Sequence, residues 1–212
     1  NNGVIPFEGQ IVSTWLDKSG KGRDMTKSTL GSITSQPVIK LVGNNGRPVV
    51  HFDGKSRMHT TDYNFRGTDT NLWRNGGYSA FGVSRYTGGD SERVITSAGG
   101  NWLLGHHGNQ IGRYHFDGWV DQGFASDTKF HIFETLHEGR SISSNPSASV
   151  WTDGIEGNYR SASKQGSNNN WFFPQQLAFG AMTSGRQSSK CQVAEFMIFE
   201  GLLTEDKRLN IE

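Results

Sequence analysis

The sequence predicts an all-β fold: a two-sheet antiparallel β-sandwich of the jelly-roll type, closed by a short C-terminal helix. Three observations predict it. Glycine makes up 28 of 212 residues, nearly twice the usual share, and is spread as the turns of many short strands require. Runs alternating between apolar and polar residues recur along the chain with turn signals between them. No amphipathic helical stretch precedes position 204. The length suits one undivided sandwich domain spanning residues 1–212, with no internal repeat and no linker.

The elements follow in order. Residues 11–24 (IVSTWLDKSGKGRD) read as a short strand and a glycine-punctuated loop, and PVVHFDG (48–54) as a β-branched strand ending in an Asp-Gly turn. YSAFGVSRY (78–86) and ERVITS (92–97) flank TGGD and are expected to form a hairpin. NWLLGHHG (101–108) and IGRYHFDGW (111–119) form a second pair. KFHIFETLHEG (129–139) is the longest alternating run, SVWTDG (149–154) ends in another Asp-Gly, and SASKQGSNNN (161–170) is an exposed loop. QLAFGAM (176–182) precedes the last strand, CQVAEFMIFE (191–200). The closing helix opens at Thr204, expected to cap free backbone N–H groups, with Glu205 and Asp206 suited to the positive end of the helix dipole.

Composition excludes several function classes. The net charge is +1 and the Lys and Arg residues form no stripe, which argues against a nucleic-acid partner. No apolar run approaches the roughly 18 residues of a membrane span. Cys191 is the single cysteine, so no internal disulfide is available and packing must hold the core. The chain starts at Asn1, as expected of a processed mature form or an excised domain, and either fits secretion. Asn145 is followed by proline, leaving no N-glycan sequon.

Four landmarks appear in a telling order: Trp15-Leu16-Asp17-Lys18-Ser19-Gly20-Lys21-Gly22, Pro48 to Gly54, Trp102 to Gly105, and Trp151-Thr152-Asp153-Gly154. They are followed by the Ala194-Glu195 strand and then Leu203-Thr204-Glu205-Asp206-Lys207-Arg208. Together these resemble the laminin-G-like domains of the concanavalin A-like superfamily. The resemblance implies an extracellular, lectin-like binding module, in a family whose members often bind calcium at a loop rim. The same superfamily includes glycoside hydrolases and polysaccharide lyases.

Catalysis by such relatives needs paired carboxylates, about 5–5.5 Å apart for retention and about 6.5–9.5 Å for inversion. Strand residues two apart share a face at roughly 6.6 Å. Among the acids only Asp90 and Glu92 have that spacing, and they lie in the expected TGGDSE turn. Glu134 and Glu138 share a face but stand four residues apart, roughly 13 Å. No alginate-lyase strand motif is present: Gln110-Ile111-Gly112 lacks the histidine. The chain is therefore expected not to be an enzyme.

Binding candidates come from alternation. Arg113, His115 and Asp117 share one face of their strand, opposite Tyr114 and Phe116. His131, Phe133, Thr135 and His137 share a face opposite Phe130, Ile132 and Leu136. If these strands belong to one sheet, Arg113, His115 and His131 line an outward platform for a sugar or anion, or merely a solvated surface. Trp171, in NNNWFFPQQ, and Trp73, in NLWRNGG, are candidate exposed anchors at its rim, whereas Trp15, Trp102 and Trp151 read as core. Such a face would prefer acidic sugars and strengthen as its histidines protonate near about 6.5.

The neighbours His106 and His107 point to opposite strand faces and make no zinc site. Asp17 and Asp24 have the spacing of a small calcium loop, but Lys18, Lys21 and Arg23 surround them and favour a plain Asx turn. Glu195 is expected on a buried face with Val193, Met197 and Phe199, paired structurally. The sequence thus points to a non-catalytic extracellular module for carbohydrate or glycosylated surfaces. A self-assembling structural protein and a polysaccharide-degrading enzyme are the alternatives.

Overall fold

The computed structural model describes residues 5–28, 32–60, 77–98, 100–116, 118–138, 148–157, 174, 176–182 and 185–211. Among them, the strands form two sheets. The first runs, edge to edge, β1 (Thr14–Trp15), β2 (Met25–Lys27), β5 (Met58–Thr60), β14 (Leu177–Phe179), β7 (Ile95–Ser97), β8 (Leu103–His107), β9 (Gln110–His115) and β10 (Trp119–Ala125). The second runs β13 (Ile155–Gly157), β12 (Ala148–Thr152), β11 (His131–His137), β6 (Tyr78–Ser91), β15 (Ser189–Glu200), β4 (Val49–Asp53) and β3 (Val38–Lys40). All neighbouring strands are antiparallel. The expected two-sheet sandwich is what the chain forms, and helix α1 (Glu205–Leu209) is the expected short closing helix.

The core lies between the sheets. Tyr78, Ala80 and Tyr86 of β6 and Phe133 of β11 pack against Ile95, Trp102 and Leu104. The Trp102 Nε1–H donates to the Tyr78 hydroxyl at 2.8 Å, so the largest core ring has its polar atom satisfied. Trp15 packs on this core at its edge, meeting Phe179 ring to ring at 5.6 Å.

Two turns follow from residue chemistry. His107 pairs with Gln110 around Gly108 and Asn109, both at positive φ, and Thr152 pairs with Ile155 around Asp153 and Gly154, also both positive. Two-residue loops of this kind suit the twist of antiparallel strands and need residues tolerant of the left-handed region.

Other expectations are corrected. TGGD is no hairpin turn: β6 continues through it to Ser91, and the chain then crosses to the other sheet, where β7 pairs with β8 and β14. Glycine next to glycine signalled a turn, and Gly88 and Gly89 do take positive φ, but β15 pairs with β6 on both sides of them, at Tyr86 and Ser91, so the segment bulges within β6 instead of leading into a hairpin with β7. Glu195 is exposed, because β15 shifts register against β6 between Val193 and Glu195. That irregularity turns Val193 inward and Glu195 outward, which strict alternation cannot foresee. Thr204 has an extended backbone at the N-cap position, yet its side chain makes no capping bond.

Helix α1 lies on the outer side of the seven-stranded sheet. Arg208 Nη1 donates to Glu134 Oε2 at 3.0 Å, and its guanidinium carbon sits 4.4 Å from the Trp151 ring centroid. Trp151 is therefore not a core residue but the platform on which the helix arginine rests. Glu134 is fully buried there as a structural partner.

Candidate functional site

The outer face of the eight-stranded sheet gathers polar and aromatic groups. Thr26, His59, Ala178, Thr96, Leu103, His115 and Trp119 are successive Cα partners across seven strands and so form one row on one face. Trp102 and Leu104 point into the core, which sends Leu103 and its row outward.

At one end of this row, half-buried Trp119 is the centre of a cluster. The Arg113 guanidinium carbon lies 4.6 Å from its ring centroid, His107 at 4.9 Å and His115 at 5.0 Å, edge-on. Arg113 Nη1 donates to Gln110 Oε1 at 2.8 Å. Behind them, Arg93 donates through Nε to Gln187 Oε1 at 2.6 Å, through Nη1 to Thr96 Oγ1 at 3.1 Å, and through Nη2 to Asn101 Oδ1. Asn101 Nδ2 then donates to His115 Nε2 at 3.1 Å, which makes that nitrogen an acceptor and the ring neutral.

The electrostatics agree with this tautomer. Burial, reinforced by Arg93, pushes His115 down to about 4. Burial, then Arg93 and Arg113, push His107 down to about 4. Glu92 Oε2 lies 3.6 Å from His107 Nε2, but with the ring neutral at pH 7 this contact is no ion pair. Strengthening of binding near pH 6.5 is therefore not a property of these two histidines. Arg93 keeps its charge, since burial lowers it only to about 10.

The structure brings Arg113 and His115 together as expected but separates His131 from them. β9 and β11 belong to different sheets, so the three cannot line one surface. The face of β11 is also reversed: His131, Phe133, Thr135 and His137 are buried, with His131 and Phe133 tilted ring to ring at 6.0 Å and His137 stacked on Tyr78 at 5.2 Å. A neutral imidazole buries as an aromatic ring, and burial pushes His137 down to about 3. His106 does the same between Tyr86 and Phe133, 4.4 and 4.6 Å away, while His107 points outward. The opposite orientations of this pair follow the expected strand alternation.

Asp117, Trp73 and Trp171 lie outside the described residues. Trp119, Arg93 and Asn101 were missed by the sequence reading. A signal for Trp119 existed, since it shares the odd-numbered parity of Arg113 and His115. Nothing local marks Arg93, which reaches the cluster from the segment that leads into β7.

His131 instead clasps a rim of the sandwich. Its Nδ1 lies 2.7 Å from Asp153 Oδ2 and its Nε2 2.8 Å from Asp127 Oδ1. Donating through both nitrogens requires the imidazolium. Burial opposes that charge, but the hydrogen bonds and charges of Asp153 and Asp127 prevail and raise its pKa. The stabilisation is then complete below the unfolded value of about 6.5 and lost as pH rises through the raised folded value. Urea titrations from pH 6 to 9 should show wild type losing stability relative to His131→Asn; parallel curves would refute the clasp.

The Asp17 carboxylate is taken up by its own loop. It accepts from Ser19 N and Oγ at 2.8 and 2.7 Å and from Arg23 N at 3.0 Å, while Asp24 Oδ1 accepts from Asp17 N at 2.8 Å. These are the bonds of an Asx-type turn. Among the described residues, no group of three or more His, Cys, Asp or Glu side chains is placed to hold a metal ion.

No protein-family model matches the chain, and no curated protein does. Solved structures do. Domain 4 of AbnA, a GH43 extracellular arabinanase from Geobacillus stearothermophilus, in complex with arabinotriose, superposes with a TM-score of 0.56 at 14% identity, over 97% of this chain and 99% of that one. The binding domain of Paraclostridial Mosquitocidal Protein 1 gives 0.61 at 8% identity, over 98% of this chain and 51% of that one. Botulinum neurotoxin type C, whose cell entry depends on interaction with two ganglioside molecules, gives 0.56 at 14%, over 98% and 50%. The likeness is one of fold. The chain spans the whole of the arabinanase domain and about half of each toxin chain.

Proposed function

We propose that this protein is a non-catalytic extracellular carbohydrate-binding module of the laminin-G-like kind, and that it grips its glycan at the Trp119 face. The observation that carries this reading is the cluster itself. A half-exposed indole, flanked by the Arg113 fork and the amide of Gln110, combines a stacking surface for apolar sugar faces with directional donors and acceptors. The fold neighbours support the reading, since one holds arabinotriose and another depends on gangliosides.

The carboxylate geometry favours binding over hydrolysis. Asp127 and Asp153 come together, but the His131 ring fills the space between them that a glycosidic oxygen or water would need. Affinity electrophoresis in polysaccharide gels tests the proposal. Trp119→Ala should weaken retention by about tenfold or more while moving the melting temperature by only a few degrees. Arg113→Ala should weaken retention too, whereas His131→Ala should lower stability and leave retention intact. Retention unchanged in both the Trp119 and Arg113 variants would remove this face from consideration. Adding EDTA tests calcium at Asp17 and Asp24; the hydrogen bonds within that loop predict no change.

A further inference from the structure

The three most exposed large apolar side chains among the described residues are Val42 at 86%, Ile5 at 85% and Phe7 at 63%, and they stand close together. The turn from Phe7 to Gln10 is pinned against β3. Gln10 N donates to the Phe7 carbonyl at 3.1 Å and Gly9 N to the Ile39 carbonyl at 2.9 Å, while Glu8 accepts from Leu41 N at 2.8 Å and from Lys40 Nζ at 2.7 Å. Phe7 therefore projects from a fixed turn, with Ile5 two residues before it and Val42 next to Leu41. Single exposed apolar residues are ordinary, whereas a group held out in water at one place marks an interaction surface.

Leu16, 56% exposed, belongs to the same corner. β4 and β5 lie in different sheets and are joined by the short connection 54–57, so Val49 and Thr60 both lie at the end of the sandwich away from it. Val49 pairs with Lys40, which puts the 41–48 segment and the Phe7 turn at that end. Thr60 pairs with Met25, which puts the 16–24 loop there too. β3 and β1 are edge strands on the same side, since the chain passes directly from its bonds with β3 into β1. The charges at this corner are Lys18, Lys21, Arg23, Lys40 and Arg47 against Glu8, Asp17 and Asp24. Glu8 is paired with Lys40, and Asp17 is taken up by the N–H groups of its own loop. Lys18, Lys21 and Arg47 are exposed and have no ion-pair partner among the described residues. Other described acids of this end stand away: Glu200 ends β15, two strands from β3, and Glu205 and Asp206 belong to α1, which lies over β11 and β12.

We propose that this corner docks the protein on an anionic lipid surface, with Ile5, Phe7, Leu16 and Val42 entering the headgroup layer and Lys18, Lys21 and Arg47 meeting its phosphate and carboxylate groups. Apolar tips on separate loops, interleaved with unpaired cations, match a bilayer interface, which takes apolar groups between its headgroups and draws cations to its surface charge. A protein partner would ask instead for a contiguous apolar centre from which lysine is depleted. Lysine stems add to the fit, since they lie along apolar surface while the ammonium stays in water. Trp119 stands on β10, at the opposite edge of the eight-stranded sheet, so docking leaves the glycan face open.

The test is co-sedimentation of the whole chain with vesicles of phosphatidylcholine alone and of phosphatidylcholine mixed with phosphatidylserine, over a sodium chloride series. Neither lipid carries a sugar. Binding to the mixed vesicles should exceed binding to phosphatidylcholine about tenfold or more at low salt and fall as salt rises. Phe7→Ser with Val42→Ser should cut it about tenfold, and Lys18→Gln with Lys21→Gln about threefold or more. All four side chains are exposed, so both double variants should fold as the wild type does. Both should also keep wild-type retention on polysaccharide, and Trp119→Ala should keep vesicle binding, so failure of the glycan reading is seen apart from failure of this one. Vesicle binding that is absent, or that is equal on the two compositions and untouched by the lysine pair, overturns the proposal. A dimer in sedimentation velocity that the Phe7 and Val42 pair dissolves would assign the corner to a second copy of this chain and overturn it as well.

Discussion

Glu134→Ala should destabilise the protein by about 3–5 kcal/mol, the cost of leaving a buried arginine without its counter-ion. Glu134 is fully buried on the outer side of β11, and Arg208 reaches it from helix α1 at 3.0 Å while lying on the Trp151 ring. Removing the carboxylate strands the guanidinium between an indole and the sheet, and the helix must either lift to release it or hold it there at a penalty. Arg208→Ala should cost less, since Glu134 loses a partner but the departing helix side chain admits water. The double replacement Glu134→Leu with Arg208→Leu should recover much of the loss, because matched apolar groups carry no desolvation cost. Urea denaturation with a common m-value measures all three. A loss below about 1 kcal/mol in Glu134→Ala would show that the pair behaves as a surface ion pair.

This pair also shows what sequence could and could not reveal. The pattern Leu203-Thr204-Glu205-Asp206-Lys207-Arg208 marked the end of the fold, yet nothing in it says why an arginine stands at that place. The reason is a long-range partner, 74 residues away in the chain. Local chemistry was legible wherever two adjacent residues decide a turn, as at Asp153-Gly154 and Gly108-Asn109. The division of strands into two sheets was not. It follows from which strand each segment pairs with, and alternation alone cannot say that β9 and β11 face each other across a core instead of lying side by side.

The histidines were misread for a related reason. Polarity scales send His131 and His137 outward, whereas in this core a neutral ring is a shape to be packed, and the carboxylates at the rim take the one histidine that is charged. The candidate site was half legible: the parity of Arg113, His115 and Trp119 lay in the sequence, but Arg93 joins them from the segment before β7 through Asn101.

Gly105→Ala should cost about 2–5 kcal/mol, combining left-handed backbone strain with overpacking of the core. Gly105 lies in β8 at φ 91°, and a Cβ built there would be driven into the ring of Phe133 on the facing sheet. The two sheets approach this closely because glycine offers nothing between them. β8 also shifts register against β9 between Gly105 and His106, yet alternation continues from Trp102 and Leu104 to turn His106 into the core and His107 toward Trp119. A displacement at Gly105 therefore disturbs both the packing and the candidate site beside it. Trimming the opposing ring in Gly105→Ala with Phe133→Leu should return the steric part of the loss but not the backbone part, giving clear non-additivity in a double-mutant cycle. Retention on polysaccharide should fall in the single variant even where it remains folded, since a displaced β8 moves His107 away from the indole. Wild-type stability in Gly105→Ala would mean that β8 can flatten without cost, and the close approach of the sheets would then owe nothing to this glycine.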